Sequence, residues 1–297
     1  MSTSDLLTPA PAAESSVPPS NSAPNGWRRV AWAAPPLLIV LVIAVYPLVR
    51  VLTESVGGTG QSSWHAVLGS EIFRRALVTT AQIAVCSTIG CLVLGTFLAV
   101  VLAFVPFPGS VVVARLIDTV LALPSFLITL AFTFLYGSAG AVNAAIFELT
   151  GNRPLDFLAT PAGVIAAEIT FFTPFVVRPL LASFTVMSTD QLNVAASLGA
   201  SPWRVLRTVI MPEAVPSLMA GGSLVLLLTL NEFGIVLFTG AKDVVTLPML
   251  VYTRGIVSFD LPGAAVIATV QVLLSLILYG AYRLVFARIT TNRRGGR

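Results

Sequence analysis

Residues 30–52 read VAWAAPPLLIVLVIAVYPLVRVL, and the run carries no charge before Arg50. An α-helix rises 1.5 Å per residue, so about 20 apolar residues cross the hydrocarbon core of a bilayer. Five further runs of similar length follow, at about 77–104, 113–136, 162–185, 217–239 and 263–286. The whole chain of 297 residues is 56% hydrophobic and 10% charged. A soluble domain carries roughly a quarter charged residues because its surface faces water. The mean hydropathy of +0.91 agrees that lipid surrounds most of these side chains. Backbone polar groups in lipid must be paired within the protein, and helices of this length pair their own. The sequence therefore predicts an all-α membrane protein with six transmembrane helices spanning residues 27–288.

Residues 1–26 are rich in Ser, Pro and Ala and cannot bury enough apolar surface to fold, so a disordered tail is expected there. It lacks the basic-then-apolar order of a signal peptide. Trp27-Arg28-Arg29 before the first run reads as an uncleaved anchor. A basic tail is expected over 289–297.

Orientation follows from the cations, which are all arginine except Lys242. With the N-terminus inside, ten fall on inner segments, among them Arg28, Arg29, Arg115, Arg204, Arg207, Arg283 and Arg288. Six fall on outer ones: Arg50, Arg74, Arg75, Arg153, Lys242 and Arg254. The excess of inner cations predicts a multi-pass protein of the cytoplasmic membrane with both termini cytoplasmic. The arginines sit at the ends of apolar runs, form no stripe, and so exclude a nucleic-acid partner.

The inner loop at 187–217 is too polar to span, yet has helical rhythm. Asp190 is placed to cap a short helix from Gln191 to Leu198. Gly199 then breaks it. A second helix starts at Ser201-Pro202, because proline suits the first turn, and is expected to close at Pro212. Its apolar positions Trp203, Val205, Leu206, Val209 and Ile210 recur at helical spacing. Arg204 and Arg207 are helical neighbours on a second face.

The stretch LNVAASLGASPWRVLRTVIMPEAVPSL, 192–218, resembles the loop shared by permease subunits of ATP-binding-cassette (ABC) importers. That pattern has a Glu-Ala-Ala start, a Gly four residues after the second Ala, and an apolar-Pro close. Ala195, Gly199 and Met211-Pro212 match it; Asn193 stands in place of the Glu and Val194 in place of the first Ala. The resemblance implies a type I importer permease whose loop between helices 4 and 5 is the coupling helix. It implies docking on the ATPase through Asn193, Ala195, Gly199, Ala200, Trp203, Arg204, Arg207 and Pro212. Its implied partners are two ATP-binding subunits, a second permease or a copy of this one, and an extracytoplasmic solute-binding protein. The segments 117–143 and 228–252 are most similar to permeases of 2-aminoethylphosphonate importers, and more distantly to those for polyamines, sulfate and ferric iron. A different class, an ion-gradient-driven secondary transporter, would predict inverted repeats and matched broken helices.

Ionisable groups within a span cost at least about 2.5–3.5 kcal/mol on insertion scales. Glu168, Asn231 and Glu232 are therefore candidate pathway residues, the alternative being polar pairing between helices. A carboxylate suits a cationic amine; a phosphonate needs Arg or backbone N–H groups. Asp118 lies three residues after Arg115, where a local pair is easy. Pro174 and Pro179 suggest kinks, and Phe233-Gly234 a close or bent helix. Cys86 and Cys91 do not share a helical face and read as small buried apolar residues. His65 has no metal or catalytic partner in sequence. No catalytic site, metal site or cofactor is expected; with no GxxxxGK[ST] phosphate loop, ATP hydrolysis falls to a partner.

Overall fold

The computed structural model describes residues 26–152, 157–158, 160–241 and 244–294. Residues 1–25 of the expected tail, Arg153, Lys242 and Arg297 lie outside the described residues. The chain divides into two units, Met1–Val49 and Arg50–Arg297. The described part of the first is helix α1 (Gly26–Val56) as far as Val49. α1 stays helical through Pro35, Pro36 and Pro47, which a long apolar helix tolerates in lipid.

The second unit opens on the end of α1 and continues with a 3-10 turn at Gly60–Ser62 and the short α2 (Trp64–Gly69). Ser63 caps α2 by accepting the Ala66 N–H. α3 (Glu71–Phe104) is one unbroken span. Its buried positions Ile83, Ala84, Ser87, Cys91, Gly95 and Ala99 fall on one helical stripe. Most are small, which lets neighbouring helices approach closely. Cys91 is buried there as expected, but Cys86, on a different face of the helix, is exposed.

The third run departs from expectation. It divides into α4 (Ser110–Leu121) and α5 (Ser125–Tyr136), and α6 (Ala141–Thr150) follows. Pro124 has no N–H and pushes Leu123 out of the helical region, so the helix stops before it. The third stretch long enough to cross a membrane is Ser125–Thr150, not 113–136.

The fourth span is jointed at Thr173-Pro174 between α7 (Pro161–Phe172) and α8 (Pro174–Thr185). The Thr173 hydroxyl donates to the Ile169 carbonyl at 2.6 Å, closing the joint. Pro179 sits within α8 without ending it.

α9 (Thr189–Ser197) and α10 (Pro202–Val205) form the loop after the fourth span. α10 does not stop at Pro212. It passes through a π-helical turn, Leu206–Ile210, into α11 (Met211–Leu230). The Met211 N–H reaches back five residues to the Leu206 carbonyl. The widened turn accommodates a proline that has no N–H to offer. The fifth span is accordingly Pro202–Leu230, displaced from the expected 217–239. Asn231 to Phe233 leave the helix, and the short α12 (Gly234–Thr239) begins beyond them.

α13 (Leu247–Tyr252), a π-turn at Thr253–Val257 and α14 (Leu261–Arg294) complete the chain. α14 runs on through residues 289–294, read from sequence as a tail. The described residues contain no strand, and six of their helical stretches are long and apolar enough to cross a membrane.

The main core gathers α3, α7, α8, α11 and α12 around Val164, Val176, Leu180, Val225 and Ile235, all fully buried. Gly221 of α11 lies against the backbone of Phe175 and Val176 on α8. A second cluster joins α2, α3, α13 and α14 through Val67, Phe73, Leu247 and Val266.

Candidate docking loop and membrane polar site

The loop at 187–217 is a helix, a left-handed glycine and a helix. α9 opens at Thr189, so Asp190 falls in its first turn instead of before it. There it still complements the positive helix end. Gly199 has φ +74°. This left-handed residue lets the Ala200 N–H return to the Ala195 carbonyl at 3.1 Å. Nothing lies within 4 Å of where a Cβ on Gly199 would sit, so backbone conformation alone selects glycine there.

The expected apolar face of the second helix divides. Val205, Leu206 and Ile210 pack into the main core. Trp203 does not join them and is 70% exposed. It shares the open side with Arg204, Arg207, Asn193 and Gly199, while Ala195, Ala200 and Pro212 are half-buried. Val194 and Leu198 are also exposed. The loop thus presents an indole, two guanidiniums and aliphatic side chains, while its other side is anchored in the core.

The three polar residues of the spans are not brought to one place. Glu168 on α7 and Glu232 both line a narrow internal pocket, with Thr80, Thr229 and Thr246. Glu168 is completely buried. Glu232 Oε1 accepts the Ile235 N–H at 2.8 Å and the Ser125 hydroxyl at 3.2 Å, tying α12 to α5. Gly234 fits because a Cβ there would press on Ser125 Oγ at 3.2 Å, the close approach that Phe233-Gly234 suggested.

Asn231 points elsewhere. Its Nδ2 donates to the Leu227 carbonyl at 2.8 Å, and its Oδ1 accepts from Gln271 Nε2 of α14 at 3.0 Å. Both amides line an open cleft of about 600 Å³ with Ser275, Tyr279 and apolar residues of α11 and α14. Sequence reading passed over Gln271, although an isolated amide in an apolar run was the available signal. Thr80 and Thr246 were passed over too, because threonine is common in spans.

Asp118 pairs with Arg178 of α8, not with Arg115 of its own helix. The pair leaves both side chains about 40% exposed, at 41% and 42%. Beyond the spans, Asp260 is held by Arg254 Nη1 at 3.1 Å and the Gly263 N–H at 2.9 Å. Burial pushes the Asp260 carboxyl up, but hydrogen bonds from Ser62 and Gly263 and the Arg254 charge together hold it below its ordinary value.

Residues 92–291 match the family model described as binding-protein-dependent transport system inner membrane component. A protein of Salmonella paratyphi A, named as a 2-aminoethylphosphonate transport system permease, PhnU, is 48% identical over 267 residues. The match covers 88% of this chain and 92% of that protein. A protein of Nephroselmis olivacea named as a sulfate transport system permease is 29% identical over 256 residues, covering 84% and 88% of the two chains. The fold is similar to that of a bacterial alginate ABC transporter solved in complex with an alginate pentasaccharide-bound periplasmic protein. The TM-score is 0.75 at 19% identity, covering 89% of this chain and 95% of that one.

Proposed function

Since the chain belongs to the family of binding-protein-dependent transport system inner membrane components, we propose that it is the permease subunit of an ABC importer for 2-aminoethylphosphonate or a related phosphonate. The observation that carries the solute is the 48% identity, over 92% of its length, to a relative named for that transport. The 29% likeness to a sulfate permease makes sulfate the weaker reading. This family assignment takes the place of the ion-gradient-driven alternative.

In this reading the chain sits in the cytoplasmic membrane with both termini and the 187–217 loop inside. It pairs with a second permease or its own copy, rests on two ATPase subunits, and receives solute from an extracytoplasmic binding protein. Trp203, Arg204, Arg207, Asn193 and Gly199 form the outer docking surface, with Ala195, Ala200 and Pro212 beneath it. Two features support that role. The loop is pinned to the core by Val205, Leu206 and Ile210, and α10 continues through the π-turn into α11. Movement of the docking helix would then move the fifth span with it, as a rigid element and not a slack linker. ATP would drive exchange by favouring one of the two facing states over the other.

Asn231, beside Gln271 in the open cleft, is the pathway residue this reading favours. Glu232 borders the same helix break, and a carboxylate there suits the ammonium end of an aminophosphonate. Glu168 is enclosed and meets solute only if the bundle opens.

The test is uptake. Co-expressed with its ATPase and binding protein in cells unable to use phosphonates, the chain should support growth on 2-aminoethylphosphonate as sole phosphorus source. Growth on sulfate as sole sulfur source without growth on the phosphonate would reject the assignment.

A further inference from the structure

The corner between α13 and α14 holds a bulky side chain in a conformation it disfavours. Phe259 has φ +54°, the one positive φ outside glycine among the described residues. A ring-bearing residue there is an outlier that persists only when its surroundings hold it. The hold comes from both sides. The Ser258 N–H donates to the Thr253 carbonyl at 2.9 Å, and the Asp260 N–H to the Arg254 carbonyl at 2.7 Å. The Asp260 carboxylate then takes Arg254 Nη1 and the Gly263 N–H. A Cβ on Gly263 would collide with Asp260 Oδ2, so the brace closes only over glycine.

What the brace presents is apolar. Phe259 is 83% exposed, and Ile256, Val257 and Leu261 around it are 58–62% exposed. None of the four belongs to a core cluster. In water, four such side chains gathered at one turn are unfavourable. Depth identifies what covers them. Residues 261–282 of α14 carry no charge until Arg283. That stretch is about 33 Å long and matches a hydrocarbon core of about 30 Å. α13 gives the same level independently. Pro248 at its start lines one cleft with Gln271, near the middle of the uncharged stretch. The apolar helix Leu247–Val257 then covers about 16 Å, half a bilayer core. α13 therefore rises from mid-membrane, and its corner with α14 stands at the bilayer surface.

We infer that Phe259, with Ile256, Val257 and Leu261, is a lipid-surface anchor seated at the boundary between phospholipid headgroups and acyl chains. Apolar and aromatic side chains are favoured at that level, and interfacial segments insert about 5–10 Å. The left-handed turn reverses the chain within Ser258 to Asp260 and leaves the ring outside the fold. The contact is apolar and does not select a headgroup, because Arg254, the cation of the turn, is committed to Asp260. The anchor fixes the depth at which α13 turns back into α14. It depends neither on the solute carried nor on which face is cytoplasmic.

The experiment places a single tryptophan at the corner. Trp27, Trp32, Trp64 and Trp203 are replaced by Phe, Phe259→Trp is added, and the full chain is put in phosphatidylcholine nanodiscs. Lipids brominated near the headgroup should quench its emission about twofold more than lipids brominated near the chain ends, and iodide should quench it weakly. The order should reverse for Leu273→Trp, which is 50% exposed and lies near the middle of the uncharged stretch. Strong iodide quenching without bromine quenching would put Phe259 in water and overturn the anchor. Loss of both would put it against a second copy, and bromine quenching abolished by adding the binding protein would make it a protein contact; either rejects the proposal. Asp260→Asn should weaken the shallow quenching, and quenching that ignores it overturns the brace. If the tryptophan-free chain does not fold, a nitroxide on Phe259→Cys in Cys86→Ser serves, since Cys91 is fully buried. Oxygen should then reach the label better than a water-soluble nickel chelate, and the opposite order overturns the anchor.

Discussion

Asp118 of α4 and Arg178 of α8 form an ion pair that closes across the broken third run and the jointed fourth span. Arg115 was the nearer partner in sequence, one helical turn away. The break at Pro124 ends α4 and leaves it beside α8, where Arg178 offers a cation that needs an anion. Where water reaches a half-exposed pair, its own worth is near about 1 kcal/mol or less. Stranding Arg178 in an apolar setting costs more, about 2.5–3.5 kcal/mol on insertion scales. Asp118→Ala is therefore expected to destabilise by about 1–3 kcal/mol. Exchanging the charges, Asp118→Arg with Arg178→Asp, should recover most of the loss in a thermal melt. No recovery would mean that the pair contributes through packing and not through charge.

Close helix contact in the core gives a second prediction. A Cβ on Gly221 would stand 3.0 Å from the Phe175 carbonyl oxygen and 3.2 Å from Val176 Cα. Both are backbone atoms of α8 and cannot swing aside. Gly221→Val is expected to cost about 1–3 kcal/mol by overpacking. Gly280 of α14 has nothing within 4 Å of its would-be Cβ. Gly280→Ala should be neutral or stabilising by up to about 1 kcal/mol, from helix propensity alone. Melting temperatures of the two variants, moving in opposite directions or one standing still, check the argument.

The membrane class and the helix–glycine–helix form of the loop at 189–205 were legible because they rest on local signals. Run length and charge scarcity declare spans, and Gly199 declares a helix end through its backbone freedom. Span boundaries were less legible. Apolar length does not reveal where a proline interrupts: Pro124 stops a helix, Pro179 does not, and Pro212 is absorbed by a π-turn. The difference lies in whether the neighbouring turn can release the lost hydrogen bond, which tertiary packing decides. Pairings were the least legible. Asn231 with Gln271, Glu232 with Ser125 and Asp118 with Arg178 join residues far apart in the chain. The face taken by Trp203 was likewise decided by the core, which claims Val205, Leu206 and Ile210 and leaves the indole outside.

Acid should loosen the segment leading into α14. Asp260 gathers Arg254 and the Gly263 N–H, and Arg254 Nη1 also reaches the Gln61 carbonyl at 3.5 Å. Phe259 beside it adopts φ +54°, a strained value for a bulky residue. The folded carboxyl titrates below its ordinary 3.8. Its stabilising contribution is therefore complete above that value and is lost as pH falls through the lower folded one. Amide exchange of residues 254–263 should rise in wild type as pH drops below about 4, after correction for intrinsic rates. In Asp260→Asn the segment should be loosened already at neutral pH and change little further. Acid sensitivity that persists in the variant would place its origin in another carboxylate.

Gly199 separates backbone freedom from space in the docking loop. Its φ of +74° penalises any side chain, while the room around it admits one without a clash. A left-handed conformation costs a residue with a Cβ about 1–2 kcal/mol, and Asn less than others. Substitutions should therefore rank by backbone tolerance and not by size: Asn mildest, Ala intermediate, and Val worst through its branched Cβ. If the turn sets the angle at which Trp203, Arg204 and Arg207 meet the ATPase, co-purification with that subunit and solute uptake should fall in the same order. The chain's own melting temperature should move far less, because Val205, Leu206 and Ile210 still hold α10 to the core. Uptake that follows side-chain volume instead, with Asn as damaging as Val, would mean that the partner subunit fills the space beside Gly199. The glycine would then be a contact and not a hinge of fixed angle.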